Sequence, residues 1–238
     1  MRTTRLYSYL FGYIALNLRK IRQAEKLHAE GKQKESFRLI ETVAEKGIKK
    51  IIKIVGARTT IKGLENISHE ETYLFVGNHQ SNMDIPLVYA CIPRKPTFIA
   101  KKEMEKIPLL GRVMKAKGCI FLDRNNPRNA IKSINEGVEL LKSGENLVLF
   151  PEGTRSKGPK MNEFKAGGLK LALKSGVKIV PVTIKNSYML MEMNNGKVKP
   201  ADVEIIFSEP IDVSNCKDAV TLSADIQKII EQNLRDSE

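Results

Sequence analysis

From residue 59 onward, short apolar runs rich in β-branched and aromatic residues alternate with stretches of helical periodicity. Each run has the length of one strand, and each helical stretch between two runs has the length of a crossover. This alternation is typical of an α/β fold, a sheet with helices on its faces. We predict strands at 72–76, 97–100, 119–122, 147–150, 178–184 and 203–207, and helices at 83–91, 109–117, 128–143, 166–175 and 218–234.

Residues 1–56 have a different pattern and predict a basic, amphipathic two-helix hairpin that precedes an α/β domain at 57–238. On a helical wheel the first helix gathers its apolar residues on one face, and Gly31 then interrupts the periodicity. A second helix is predicted over about 34–55, with lysines opposite its apolar stripe. The first apolar face comprises Leu6, Leu10, Tyr13, Ile14 and Ile21.

The charge of the chain is concentrated in the same N-terminal segment. Residues 1–62 hold 15 Lys and Arg against 5 Asp and Glu, a net +10 of the +13 of the whole chain. Such asymmetry predicts a polyanionic partner, either an anionic membrane surface or nucleic acid. Nucleic acid is disfavoured because no zinc finger, RNP-type or helix-turn-helix signature is present. The alternative is that both apolar stripes pack on the domain and the lysines form a solvated face.

Several other functional classes are excluded by the sequence. No run of 18 apolar residues exists, so no ordinary transmembrane helix is predicted, and the apolar stretch at 6–18 lacks a signal-peptide cleavage site. The three cysteines are scattered, which favours a reducing compartment over a disulfide framework. No metal-ligand spacing and no G-x-S-x-G elbow occurs, so neither a metal site nor a serine hydrolase is predicted.

The stretch "NHQSNMD", Asn78 to Asp84, follows the predicted strand "TYLFV" and admits two interpretations. Ser81 and Asp84 have the spacing of a helix capping box, which explains both residues structurally. His79 is not explained in that way. A His just past the carboxyl end of a strand lies where open α/β sheets bind ligands, and an Asp five residues later can orient it as a base. The spacing alone leaves both interpretations open.

Three further strand ends carry charged residues. "LFPEGTRS" places Glu152, Gly153, Thr154 and Arg155 after a strand, and Gly153 suits a positive φ or a close ligand approach. "GCIFLDR" ends in Arg124, and "TFIAK" ends in Lys101. Converging cations beside one His indicate an anionic, phosphate-bearing substrate that a base deprotonates.

These stretches, in this order, resemble the ordered blocks of the 1-acylglycerol-3-phosphate acyltransferase family of glycerolipid acyltransferases. "NHQSNMD" is similar to the H-x4-D block, "GCIFLDR" to the second block and "FPEGTRS" to the third. "FKAGGLKLA" and "IVPV" are similar to the segments that follow. The similarity covers roughly 72–184, about half of the chain. The basic hairpin resembles the membrane-docking element of compact bacterial members.

The resemblance implies a mixed sheet flanked by helices and a defined reaction. A fatty acyl group passes from acyl-CoA or acyl-carrier protein, as co-substrate and without a further cofactor, to the sn-2 hydroxyl of lysophosphatidic acid. His79 is then the general base, Asp84 orients it, and Arg124, Arg155 and Lys101 hold the phosphate. Glu152, Gly153 and Thr154 are expected at the substrate, with backbone N–H groups near Gly153 binding the oxyanion.

The resemblance also implies membrane association at the cytoplasmic face, peripheral or monotopic. Other acceptors, such as glycerol-3-phosphate or another lysophospholipid, remain compatible with the same blocks. A non-enzymatic protein that binds membranes through the hairpin is the second alternative.

Overall fold

The structure is a computed structural model that describes residues 1–123 and 126–236, and within them a single sheet of seven strands forms the centre. The strand order is β1-β7-β6-β2-β5-β3-β4, and neighbours run parallel except for the antiparallel pair of β6 and β7. The predicted α/β fold with a mixed sheet is therefore confirmed. The strands are β1 (Ala57–Lys62), β2 (Tyr73–Gly77), β3 (Thr97–Lys101), β4 (Ile120–Leu122), β5 (Leu147–Leu149), β6 (Lys178–Lys185) and β7 (Ala201–Phe207).

The predicted helices of the α/β part are present with shifts of one or two residues at their ends, except that the first turn of the fourth is a 3-10 turn at Ala166–Leu169. Asn126 begins α6 as an N-cap, accepting hydrogen bonds from the backbone N–H groups of Arg128 and Asn129. Asp218 caps α8 in the same manner. The helices are α1 (Arg2–Leu16), α2 (Leu18–Ala29), α3 (Gln33–Val55), α4 (Asp84–Cys91), α5 (Leu110–Ala116), α6 (Pro127–Lys142), α7 (Lys170–Ser175) and α8 (Ala219–Arg235).

Strand β1 was not predicted from the sequence. It lies at the edge of the sheet and pairs only with β7, so most of its side chains are exposed and it lacks a buried apolar alternation. Arg58 and Lys62 instead form ion pairs with Asp202 and Glu204 of the neighbouring strand. Because the side chains of an edge strand of this kind are mostly exposed, its sequence lacks the apolar alternation that predicts a strand.

The N-terminal segment contains three helices where a two-helix hairpin was predicted. Asn17 separates α1 from α2 with a non-helical φ of −100° and ψ of 9°, and its side-chain amide donates to the carbonyl of Tyr13. The second predicted helix is α3, which ends at Gly56 in the left-handed conformation at φ +76°. The break between α1 and α2 was not predicted, because Asn17 is a single polar residue within a continuous apolar periodicity.

The predicted apolar face of the first helix turns toward the protein. Leu6 packs into the main core, and Ile14 and Ile21 are buried against Ile40 of α3 and Ala116 of α5. The Tyr13 hydroxyl donates to the carbonyl of Val43. This face of α1 and α2 therefore packs on the protein and is not free to enter a membrane.

Other apolar side chains of α1 are exposed. Tyr7 is 45%, Phe11 is 41% and Leu16 is 87% exposed. Tyr7 and Phe11 are four residues apart and so share one side of the helix, whereas Leu16 lies on the other side; Tyr7 and Phe11 define the outer face of α1. Within the described ranges, no helix combines the length and the apolar character needed to cross a bilayer.

Both faces of the sheet are buried, as the alternation along β2 shows. Tyr73 and Phe75 belong to the core that lies under α3 and α4. Leu74 and Val76 belong to the core that lies under α6, α7 and α8. Because β2 is central and buried on both faces, its carboxyl end is a rigid platform for the residues that follow it.

Candidate active site

The turn after β2 is held by a side chain that bridges to the neighbouring strand. Asn78 is fully buried, and its amide donates to the carbonyl of Ile184 while its Oδ1 accepts from the N–H of the same residue, both at 2.8 Å. Gly77 lies so close to β6 that a Cβ would stand 3.0 Å from the carbonyl of Val182. These contacts fix where the chain leaves the sheet and enters the H-x4-D turn, 79–84.

His79 and Asp84 form a hydrogen-bonded pair at this carboxyl end. His79 Nδ1 lies 2.7 Å from Asp84 Oδ2. Because a carboxylate accepts hydrogen bonds and does not donate them, Nδ1 carries the proton, and Nε2 is left as a free basic nitrogen. The His79 side chain is 14% exposed, whereas Asp84 is fully buried. This arrangement suits a general base with an orienting acid.

One half of the predicted capping box is present: Asp84 accepts from the backbone of Ser81, but Ser81 is not the N-cap, because α4 begins at Asp84 with Met83 as its N-cap and without a side-chain cap. Asp84 Oδ2 accepts hydrogen bonds from the backbone N–H groups of Gln80 at 2.7 Å and Ser81 at 2.8 Å. The Ser81 hydroxyl accepts from the N–H of Met83. The two interpretations of the stretch are therefore compatible, since one carboxylate oxygen caps the turn and orients the imidazole.

The imidazole of His79 is further restrained by the loop after β5. The Phe150 ring stacks on it with centroids 4.3 Å apart and an interplanar angle of 14°. The His79 carbonyl accepts from the N–H of Ser156 at 2.8 Å. The turns after two adjacent strands, β2 and β5, thus close on each other around the base.

Glu152 contributes to this site through the backbone. It is buried, and its Oε1 accepts from the N–H of His79 at 2.6 Å while Oε2 accepts from the N–H of Asn162 at 2.8 Å. Burial raises the pKa of the carboxyl above its usual range, and the two backbone hydrogen bonds oppose that rise. Its described contacts make Glu152 a support for the position of His79, whereas the sequence led us to expect it at the substrate.

Gly153 and Thr154 complete the turn. Gly153 has a φ of +74°, as its position after a strand suggested. Its N–H donates to the carbonyl of Phe150 within the turn, which argues against an oxyanion role for this particular N–H. Thr154 is exposed, and the expectation that its N–H binds an oxyanion stays a prediction.

Arg155 is positioned by an acid that the sequence did not indicate. Arg155 Nη1 donates to Glu192 Oε1 at 2.9 Å, and the same oxygen accepts from the N–H of Asn82 at 3.0 Å. Glu152, three residues before Arg155, makes other contacts. Glu192 lies 37 positions after Arg155, and no local pattern connects the two residues.

Lys101, another predicted cation, does not reach this point. Lys101 ends β3, two strands from β2 and therefore about 10 Å across the sheet, and it pairs with Glu103 on the surface. Arg124 lies outside the described residues, so its predicted phosphate contact is untested. The four strands end at a common edge of the sheet, as expected. Within the described residues, the groups that come together there are His79, Asp84, Glu152 and Arg155.

An imidazole hydrogen-bonded to a buried carboxylate, at the carboxyl end of the central strand of an α/β sheet, is an arrangement typical of enzymes that use a general base. Comparisons with known proteins agree on the class. The model of the family described as Acyltransferase matches residues 58–185, more than half of the chain. The chain belongs to this Acyltransferase family.

Two curated relatives illustrate the similarity in sequence. A chloroplastic 1-acyl-sn-glycerol-3-phosphate acyltransferase of Brassica napus is 35% identical over 65% of this chain and 45% of its own length. A 1-acyl-sn-glycerol-3-phosphate acyltransferase of Saccharomyces cerevisiae is 33% identical over 68% of this chain and 54% of its own length. The chain thus spans about half the length of these curated relatives.

A solved structure matches over nearly the full chain. The crystal structure of the 1-acyl-sn-glycerophosphate acyltransferase PlsC from Thermotoga maritima superposes with a TM-score of 0.76 at 26% identity. The match covers 99% of this chain and 97% of that one, so it includes the N-terminal helices as well as the α/β part.

Proposed function

We propose that this protein transfers a fatty acyl chain from a thioester, acyl-CoA or acyl-carrier protein, to the sn-2 hydroxyl of lysophosphatidic acid, giving phosphatidic acid. The observation that carries the proposal is the 2.7 Å hydrogen bond between His79 Nδ1 and Asp84 Oδ2, which leaves Nε2 as the base. The names of the curated relatives and of the structural neighbour support lysophosphatidic acid as the acceptor.

The reaction follows from these groups. Nε2 of His79 removes the proton of the acceptor hydroxyl while that oxygen attacks the thioester carbonyl carbon. The C–S bond then breaks, and the imidazolium returns the proton to the departing sulfur, so the products are an oxygen ester and a free thiol. Asp84 stabilises the imidazolium during the step. General-base catalysis of this kind contributes ~10²–10⁴-fold to the rate.

Arg155 is our candidate for recognising the acceptor phosphate. Its guanidinium has five N–H donors in a planar fork that fits a phosphate. One of these donors, on Nη1, is hydrogen-bonded to Glu192, and the Arg155 side chain is 31% exposed. We keep Arg124 and Lys101 as proposed further contacts of the phosphate.

We also propose that the protein works at an anionic membrane surface, as a peripheral or monotopic protein on the cytoplasmic face. The outer face of α1, formed by Tyr7 and Phe11, supports this proposal because two aromatic side chains stay exposed there. Helix α3, which packs against α1, adds exposed lysines to the same part of the protein: Lys46, Lys49, Lys50 and Lys53.

Thiol release tests the reaction. Purified protein is given lysophosphatidic acid with acyl-CoA or with acyl-carrier protein, and free thiol and phosphatidic acid are measured. We expect turnover by the wild type, and a loss of at least ~10²-fold in His79→Ala with an unchanged melting temperature. The matched control is His69→Ala, an exposed histidine away from the site, which should retain the wild-type rate.

The same assay distinguishes the alternatives. A higher kcat/KM with glycerol-3-phosphate or another lysophospholipid would replace the proposed acceptor and keep the enzyme. No transfer with any of these acceptors would favour the non-enzymatic membrane protein. A His79→Ala variant that keeps more than about a tenth of the rate contradicts the general-base role, because such a base supplies at least ~10²-fold.

A further inference from the structure

Glu192 occupies a position at the site that neither the family blocks nor the proposed reaction assigns. It lies on a short 3-10 turn, Glu192–Asn194, in the segment between β6 and β7. This segment is beyond residues 58–185, to which the family model extends. The Glu192 side chain is 5% exposed, so a carboxylate has been placed almost entirely out of solvent beside the site.

One oxygen of Glu192 connects two parts of the site. Oε1 accepts from the N–H of Asn82, within the turn between His79 and Asp84, and from Nη1 of Arg155. The distances are 3.0 and 2.9 Å, normal for hydrogen bonds of these types. Through Glu192, the Arg155 guanidinium is therefore held relative to the turn that carries His79.

The backbone around Glu192 is held firmly enough to impose this position. Leu190 and Met191 are buried in the main core. The Asn194 side chain donates to the carbonyl of Met189 at 2.6 Å, and the N–H of Lys199 donates to the carbonyl of Leu190. A buried carboxylate on such a segment acts as a fixed acceptor.

We propose that Glu192 is a positioning residue: it holds the Arg155 guanidinium at a set distance from His79, so that an acceptor phosphate bound by Arg155 presents its hydroxyl to Nε2. This inference rests on the proposed function. Of the three guanidinium nitrogens of Arg155, Glu192 engages Nη1, and among the described contacts this leaves Nε and Nη2 to bind a phosphate. A carboxylate near a phosphate also repels it, and the effect of Glu192 must therefore be geometric.

Two substitutions separate the geometry from the charge. Glu192→Ala removes the acceptor, whereas Glu192→Gln keeps an acceptor oxygen and removes the charge. We expect Glu192→Ala to raise the KM for lysophosphatidic acid at least tenfold with the acyl-donor KM within twofold of wild type. Glu192→Gln should keep the acceptor KM within threefold. Glu209→Ala, an exposed glutamate at the end of β7, is the control and should change neither.

A double-mutant comparison tests whether the effect passes through Arg155. If it does, Glu192→Ala added to Arg155→Ala causes no further rise in the acceptor KM, because the group to be positioned is already absent. The inference is overturned if Glu192→Ala leaves the acceptor KM within twofold, if its effect adds fully to that of Arg155→Ala, or if Glu192→Gln is as impaired as Glu192→Ala.

Equilibrium binding distinguishes failure of this inference from failure of the proposed function. Calorimetry with lysophosphatidic acid in the His79→Ala background measures acceptor affinity without turnover. The same ratios between the Glu192 variants are expected in Kd. If the wild type transfers no acyl group and these ratios nevertheless appear, the proposed reaction is wrong and the positioning role stands. If transfer occurs and the ratios are absent, the positioning role is wrong.

Discussion

At the scale of single residues, the site depends on carboxylates that serve the backbone and the chemistry together. Asp84 Oδ2 accepts from two backbone N–H groups and from His79 Nδ1. Among the described residues, Oδ1 of the same carboxylate has no hydrogen-bond partner. The imidazole is thus oriented by the same oxygen that caps the turn, and any change in the cap also changes the base.

Asp84→Asn should therefore impair activity more than stability. An amide carries no negative charge, so it stabilises an imidazolium less well than the carboxylate does. We expect a loss of ~10²-fold or more in kcat, within the range that general-base catalysis contributes. Steady-state thiol release and thermal melting are measured on the same preparations. A variant with near wild-type kcat would show that the orienting role is unnecessary.

Glu152 leads to a prediction about pH. Its pKa in the folded protein is raised by burial, so the folded state binds the proton more tightly than the unfolded state does. At high pH the ionised Glu152 carboxylate lowers the free energy of unfolding. As the pH falls through the pKa of the folded protein toward the usual value of 4.5, protonation of Glu152 removes this loss. Compared with Glu152→Gln, the wild type should gain stability as the pH is lowered from 8 to 4.5.

Urea denaturation at a series of pH values measures this difference. The exposed neighbour Glu163→Gln is the control, and its free energy of unfolding should follow that of the wild type across the range. A difference between wild type and Glu152→Gln that is independent of pH would mean that Glu152 titrates alike in the folded and unfolded states.

At the scale of elements, the apolar side chains of α1 have different roles. Leu6 and Ile14 are buried against the protein, whereas Tyr7, Phe11 and Leu16 are exposed. The apolar face that the helical wheel gathers is thus the packing face. Tyr7 and Phe11 lie beside it and form the outer face that we propose to enter the membrane.

Tyr7→Asp combined with Phe11→Asp should release the protein from membranes while leaving it folded. Burying a large apolar side chain contributes about 1.5–3 kcal/mol, so the loss of two should weaken partitioning roughly 100-fold or more. Co-sedimentation with anionic and neutral vesicles, with and without 0.5 M salt, measures the binding. The wild type should bind more weakly in salt yet not be released, since charge is screened and apolar burial is not.

Matched controls separate docking from general surface effects. Ile131→Asp with Val220→Asp changes two exposed apolar residues on α6 and α8, and binding should be unaffected. Ile14→Asp should unfold the protein, because that side chain is buried. Wild-type sedimentation of the Tyr7 and Phe11 double variant would contradict docking through the outer face of α1.

At the scale of the whole molecule, the N-terminal helices and the α/β part share their interior. Leu6, Ile54 and Val55 belong to the same apolar core as Phe75 of β2. Ser36 donates to the carbonyls of Ala24 and Ala116, on helices α2 and α5. The proposed docking surface on α1 therefore shares an apolar core with the sheet that carries the site.

Lys117 is a test of this connection. Its ammonium donates to Glu41 of α3 at 2.8 Å and lies 5.1 Å from the centre of the Phe37 ring, and the side chain is 6% exposed. Lys117→Ala leaves the partner uncompensated, although Glu41 is partly solvated, so we expect a loss of about 2–4 kcal/mol in the free energy of unfolding. Urea denaturation followed by far-ultraviolet circular dichroism measures it.

The exposed Lys46→Ala is the control, expected within about 0.5 kcal/mol of wild type. One cooperative transition is expected in both variants, because the helices and the sheet share a core. Two separate transitions, with only the helical one shifted by Lys117→Ala, would mean that the N-terminal helices form an independent unit.

The sequence by itself determined what depends on neighbours along the chain. Apolar periodicity specified six of the strands and most of the helices between them, and the five-residue spacing of His79 and Asp84 allowed a pair whose hydrogen bond is local. Tertiary structure decided the rest. The partner of Arg155 is 37 residues away and that of Asn82 is 110 away, and each contact exists because packing brings two segments together.

The same distinction explains two of the differences in the N-terminal part. The edge strand β1 (Ala57–Lys62) is defined by its hydrogen bonds to β7 and carries little apolar signal of its own. Helix α1 carries apolar residues both inside and beside its packing face, and periodicity cannot tell which of them will be buried. The surfaces against which Leu6 and Ile14 pack made that choice, since burial depends on what lies opposite.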